Sequence, residues 1–158
     1  MAEIKAVRAT RRHAAELGRT MRAKDREEIV ASGNFHEPEK GVRASINAAI
    51  ESYAVYIDGD LVAVYGVSRL PDGWFIPWAL TSDHVFKHQR AFYRESKRIL
   101  AELREKYRHM IQMVHWKYRE SLSWLARLGF TVEPPIRWGA NQELFCRVTL
   151  TTPKLIEV

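Results

Sequence analysis

Apolar positions along this chain switch between a two-residue period and a period near 3.6, so the pattern itself divides the sequence into strands and helices. Residues 4–9 place Ile4, Ala6 and Arg8 on one face and predict a first strand. Thr10 supplies an N-cap for a helix reaching about Met21. Asp25-Arg26-Glu27-Glu28 reads as a cap with a carboxylate three positions on, opening a second helix that Gly33 ends. Pro38 fits the first turn of a third helix, with Val42, Ile46, Ala49 and Ile50 as its apolar stripe. Residues 53–57 and 61–68 predict strands around the hairpin signal Asp58-Gly59-Asp60, and Pro71-Asp72-Gly73 turns the chain into a further strand over 74–80. Ser82 or Asp83 caps a long helix reaching about Tyr107, along which Phe92, Ile99, Leu103 and Tyr107 recur at helical spacing. A strand over 109–116 follows. Residues 121–130 then form a short amphipathic helix with Leu122, Leu125 and Leu128 on one face. Gly129 stops it in a left-handed turn and Phe130 folds back onto its last turn. Pro134-Pro135 and Trp138-Gly139 mark a surface loop, and residues 143–151 alternate as a last strand.

This order predicts an α/β domain spanning residues 1–158, with a central mixed, mostly antiparallel sheet and helices on both faces. No apolar run approaches bilayer length, and the first residues carry no apolar signal core. The single cysteine, Cys146, lies in an apolar strand pattern, where a packed thiol in a reducing, intracellular setting is expected. The formal net charge of +6 points to an anionic partner such as a nucleotide cofactor, nucleic acid or an acidic protein. The cations, however, fall in helical segments with acids nearby, which reads as solvated helix faces rather than a nucleic-acid surface. No His/Cys/Asp cluster has metal-ligand spacing, and no Walker or dinucleotide motif is present.

A late strand followed by a helix ending in Leu128-Gly129-Phe130 resembles the closing half of the acyl-CoA-dependent N-acetyltransferase (GNAT) fold. Six segments run through the chain in order: Val7-Arg8-Ala9-Thr10, Met21-Arg22-Ala23-Lys24-Asp25-Arg26-Glu27-Glu28-Ile29, Ala31-Ser32-Gly33, Asp58-Gly59 with 62–67, Pro77-Trp78-Ala79-Leu80-Thr81-Ser82-Asp83, and 121–130. On these segments the chain is similar, within that fold, to the small internal virion protein family of short-tailed phages. The resemblance implies a phage protein of the host cytoplasm, open to packaging in the virion, that acts in particle morphogenesis or infection. Its implied partners are phage structural or host proteins.

The GNAT resemblance also implies a gap between splayed fourth and fifth strands, an acyl-CoA cofactor such as acetyl-CoA, and a phosphate site after the fourth strand. That stretch here is Leu80-Thr81-Ser82, then Asp83 to Arg90, and it contains no glycine. Leu80, Thr81 and Ser82, with Lys87, His88 and Arg90 for charge, are the candidate cofactor contacts; the same residues read equally as an ordinary capped helix with cations facing water. Pro77 lacks an N–H, which suits strands that part, an edge or a bulge. A tyrosine acid often found in the last helix of this fold is replaced by Leu125, with Tyr118 as substitute donor. Asp83, His84 and His115 are candidate bases. Asp25, Glu27 and Glu28 form an acidic cluster that reads first as helix N-terminal carboxylates. Trp74, Trp78 and Trp116 are expected in the core, and Trp138 as an exposed contact. Three readings stand: a phage virion or host-takeover factor with a degenerate acetyltransferase site, an active acetyl-CoA-dependent N-acetyltransferase, and a basic nucleic-acid-binding accessory.

Overall fold

The hairpin is the most local element, and the sheet grows from it. In the computed structural model, which describes residues 1–153, Asp58 and Gly59 both take positive φ and join β2 (Ala49–Ile57) to β3 (Asp60–Arg69). β1 (Ile4–Arg8) adds antiparallel to β2, and β4 (Phe75–Thr81) adds antiparallel to β3. β5 (His109–His115) lies parallel beside β4, and β8 (Glu143–Thr151) pairs antiparallel with β5. The order is β1-β2-β3-β4-β5-β8-β6, where β6 is Thr131–Val132; β7 (Ile136–Trp138) also pairs with β8.

Strand alternation gives the sheet two apolar faces. Ala54, Val64 and Leu80 meet Ala14 and Leu17 of α1 (Arg11–Thr20) and Val42 of α3 (Pro38–Ala48). Val55, Ala63 and Tyr65 face the other way, toward Ala91 and Phe92 of α4 (Gln89–Lys106). Leu103 and Tyr107 continue that layer over Met110, Val114 and Val148, where Leu122, Leu125 and Leu128 also pack around α5 (Arg119–Arg127). Gly129 has φ 104°, and the Phe130 N–H returns to the Leu125 carbonyl at 3.0 Å, as the Leu-Gly-Phe pattern implies.

Several expectations are corrected. The second helix, α2, runs Ala23–Gly33, so Asp25 is inside its first turn rather than its cap, with its carboxylate turned inward to β4. Ala49 and Ile50 leave the third helix to open β2, and Ile50 is 47% exposed. The long helix expected from Ser82 is divided. Residues Asp83–Lys87 form a 3-10 turn, and α4 begins only at Gln89. Ser82 closes that turn by accepting the His84 N–H, while His88 is drawn to Asp60 on the hairpin at 2.9 Å. The loop after α5 contains β6 and β7. Trp138 is therefore a strand residue, its ring edge-on to Phe145 at 5.1 Å. Trp116 lies past the end of β5, 38% exposed, with the Arg119 guanidinium 4.6 Å from its ring centre.

Trp78 lies across β3 where Gly66 has no side chain. A Cβ on Gly66 would stand 2.7 Å from both the Trp78 ring and the Glu51 carbonyl. Gly66→Ala is therefore expected to destabilise the fold by about 1–3 kcal/mol, read as a lower urea midpoint with unchanged slope. An unchanged midpoint would show that the Trp78 ring yields freely.

Candidate functional site

β4 and β5 share one register pair, Phe75 with Met110, and then part. The parting leaves one edge of β4 without a neighbouring strand. Backbone groups alternate sides along a strand. Because the Ser82 N–H bonds to Val62 of β3, the groups of Pro77, Ala79 and Thr81 face the gap. Most of them are satisfied from within the chain. The Gln112 side chain on β5 reaches across and donates its amide N–H to the Pro77 carbonyl at 2.8 Å. Pro77 itself has no N–H to offer. The Thr81 N–H and hydroxyl both donate to Asp25 Oδ2, at 2.8 and 2.6 Å, and the Thr81 carbonyl accepts the Arg22 N–H at 2.9 Å. Ala79, exposed and without a strand beside it among the described residues, keeps the open pair of backbone groups.

α2 lies across the mouth of this gap. Asp25, 3% exposed, is anchored to the end of β4. Glu28, one turn further on, sits against the backbone N–H of His115 at the end of β5. Burial raises the Glu28 carboxyl from its usual value to about 7, and Lys24 works against that rise. Glu28 Oε1 is buried and has no hydrogen-bond partner among the described residues. Lys24, at the i−4 position, has its ammonium pKa lowered by burial; its Nζ donates to Ser121 of α5 and lies 5.4 Å from the Tyr118 ring centre.

Next to this carboxyl a cleft of about 420 Å³ opens between α2, the end of β5 and the start of β8. His115, 8% exposed, lines it and pairs with Glu143 at 2.9 Å, while its other ring nitrogen accepts the Lys117 N–H. The Tyr118 hydroxyl donates to Glu27, which also pairs with Lys117 at 2.9 Å. Burial, then that hydrogen bond, raises the Tyr118 pKa, and the same bond lowers the Glu27 carboxyl. Chemically the cleft offers a phenol that keeps its proton and an imidazole with a carboxylate partner; Glu28, which is not among its lining residues, adds on α2 a carboxyl able to exchange a proton near neutrality.

The candidate phosphate side is arranged differently. Leu80 is a core side chain. Ser82 is fully buried and donates its hydroxyl to the Leu61 carbonyl. Lys87 and His88 both pair with Asp60, at 3.1 and 2.9 Å, and those bonds, His88 first, lower the Asp60 carboxyl. Asp83 and Arg90 are exposed, and His84 is half-buried with its backbone on Ser82. Of the candidates, the fold brings His115 and Tyr118 into one cleft and leaves Asp83 and His84 on the 3-10 turn. Leu125 packs in the core, so its position offers no donor. Sequence reading did not single out Gln112, Lys24 or Glu143, and placed Glu28 in an acidic cluster near the expected substrate side that reads first as helix N-terminal carboxylates. The i, i+3 and i, i+4 spacings among Lys24, Asp25 and Glu28 put them on one helix face, but only packing shows that face to be inward.

No family model matches the sequence, and no curated protein matches it. Solved structures do. The ribosomal-protein-S18-alanine N-acetyltransferase of Escherichia coli superposes with TM-score 0.69 at 13% identity, over 99% of this chain and 97% of that one. Ard1 of Thermoplasma volcanium gives 0.71 at 10%, over 96% and 99%. RimL, a ribosomal L7/L12 α-N-protein acetyltransferase solved with coenzyme A, gives 0.67 at 12%, over 94% and 93%. At these identities the likeness establishes the fold: this chain has the α/β architecture of the GNAT acetyltransferases, with helices on both faces of a mixed sheet and a parallel, parted β4–β5 pair.

The raised Glu28 carboxyl has a consequence for stability. Between about 4.5 and about 7 the folded chain holds a proton that the unfolded chain has released, so stability falls as pH rises through that window and levels above it. Glu28→Gln has no such proton. Its urea midpoint is expected to gain on the wild type from about pH 5 to about pH 8; equal slopes in both proteins would mean that Glu28 ionises as an ordinary surface carboxylate.

Proposed function

We propose that this GNAT-fold chain works as the phage internal virion protein that its sequence resembles. In this reading it acts in particle morphogenesis or infection by binding phage structural or host proteins, with an acetyltransferase site its own side chains have filled. The observation that carries this reading is the Gln112 amide on the Pro77 carbonyl, set in the gap where a thioester arm would pair with β4. Two others support it. Thr81 spends its edge groups on Asp25 and Arg22, and Lys87 and His88 spend their charge on Asp60. Acetyl-CoA therefore fits these residues poorly: Ala79 is the open backbone pair on the β4 edge, and Arg90 is the candidate phosphate cation without a carboxylate partner among the described residues. No helix among the described residues is long and apolar enough to cross a membrane.

Isothermal titration with acetyl-CoA tests this. No heat at millimolar ligand is the expected result. Micromolar binding that Arg90→Glu removes would overturn the filled-site reading.

A second reading, transfer from acetyl-CoA to an amine, is favoured by one specific observation: across the mouth of the gap Glu28 Oε1 is buried without a hydrogen-bond partner among the described residues, and burial pushes its carboxyl up to about 7. There Glu28 would take the amine proton, with His115 and Tyr118 beside it. Incubation with acetyl-CoA and peptides bearing free amines, followed by thiol release, separates the two. Release that Glu28→Gln slows by about 100-fold or more would establish transfer; the filled site predicts none.

A further inference from the structure

The outward face of α4 carries Arg90, Tyr93, Arg94 and Lys97 at spacings of three and four, so they form one stripe. All four are exposed, while Phe92, Ile99 and Leu103 hold the opposite side of the helix in the core. The cations of this stripe differ from their neighbours. Arg98 is held by Glu95 and Glu102, and Lys87 by Asp60. Arg90, Arg94 and Lys97 make no ion pair among the described residues. The structure thus spends its local acids elsewhere and leaves a run of mutually repelling charges over ~10 Å of helix.

Aromatic rings stand within that run. Tyr93 is 44% exposed; Lys97 Nζ lies 5.5 Å from its ring centre, and Trp124 of α5 approaches it at 6.4 Å with ring planes at 57°. Phe86, one of the most exposed apolar side chains at 57%, sits in the turn just ahead of α4. Exposed Tyr93 and Phe86, with half-buried Trp124 beside Tyr93, stand among cations that make no ion pair in the described residues, which matches the two demands of a single nucleic-acid strand, faces for its bases and charge for its phosphates. A duplex hides its base faces; an acidic protein could engage the same rings and cations, and the polyglutamate arm of the test separates it from a strand.

We propose that this α4–α5 face binds single-stranded nucleic acid, with bases stacked on Tyr93 and Trp124 and phosphates on Arg90, Arg94 and Lys97. The surface shares Arg90 with the candidate cofactor contacts, so the variants that test it are placed at Tyr93, Arg94, Lys97 and Trp124, outside the candidate site, and its failure is distinguishable from that of the gap reading. The net charge pointed to an anionic partner and the spread of cations among acids to solvated helix faces; the side-chain partners distinguish this face from the others.

Fluorescence anisotropy of the full chain with labelled oligothymidylate of about 20 nucleotides is the test. Three phosphate contacts predict an affinity loss of about 20-fold between about 50 and about 200 mM salt. Tyr93→Ala is expected to weaken binding about 5-fold or more, and Arg94→Glu with Lys97→Glu to abolish it. All three side chains are exposed, so circular dichroism of the variants should match the wild type. Stacking should also quench tryptophan emission, and Trp124→Phe should remove most of that quenching. Absence of binding at the lower salt would overturn the proposal. So would binding that survives these substitutions, or equal binding of polyglutamate or of duplex of the same length.

Discussion

Beyond the Phe75–Met110 pair, β4 and β5 share no ladder, and the site follows from how their freed edges are satisfied. Backbone N–H and C=O groups that face no strand must find other partners or stay in water. Pro77 removes one donor at the outset, which lets the strands part there without an orphaned N–H. Gln112 then supplies a donor to the Pro77 carbonyl, and Asp25 supplies an acceptor to Thr81. The gap is thus stabilised from inside the chain, and the same contacts that stabilise it occupy its edge.

Those contacts also set the electrostatics. Because Asp25 is drawn inward to β4, the face of α2 that carries it turns toward the sheet and takes Lys24 and Glu28 out of water. Two opposite charges four residues apart would be an ordinary surface pair on an exposed helix, worth a few tenths of a kcal/mol. Buried, both are shifted toward their neutral forms. Glu28 at the mouth and the His115–Tyr118 cleft beside it form the polar centre of the molecule, set apart from the basic stripe on α4.

Much of the architecture was legible in the sequence because it rests on local signals. The Asp58-Gly59 hairpin, the Leu128-Gly129-Phe130 helix stop and the alternation through 143–151 each encode their geometry within a few residues. The errors share one cause, since each involves a choice between two locally acceptable states that a distant contact decided. Ser82 can cap an α-helix or a 3-10 turn, and Asp60 on the hairpin, by holding His88, favours the turn. Trp138 can lie in a loop or a short strand, and the edge of β8 gives it a strand. Asp25 can cap a helix or sit inside it, and Thr81 draws it inside.

What the sequence by itself determined was most of the succession of elements, since periodicity and turn residues act within a few positions of where they stand; Pro77 suits parted strands, an edge or a bulge alike, and the packing of β5 decided among them. What only the tertiary structure decided was which charged groups are spent on each other and which are left free. Asp60 neutralises Lys87 and His88 and Asp25 is used up at Thr81, while Glu28 Oε1 stays buried without a partner and Arg94 and Lys97 make no ion pair among the described residues. Charge pairing and desolvation depend on distances of a few ångströms between residues dozens of positions apart, and those distances exist only once the sheet has closed around its helices.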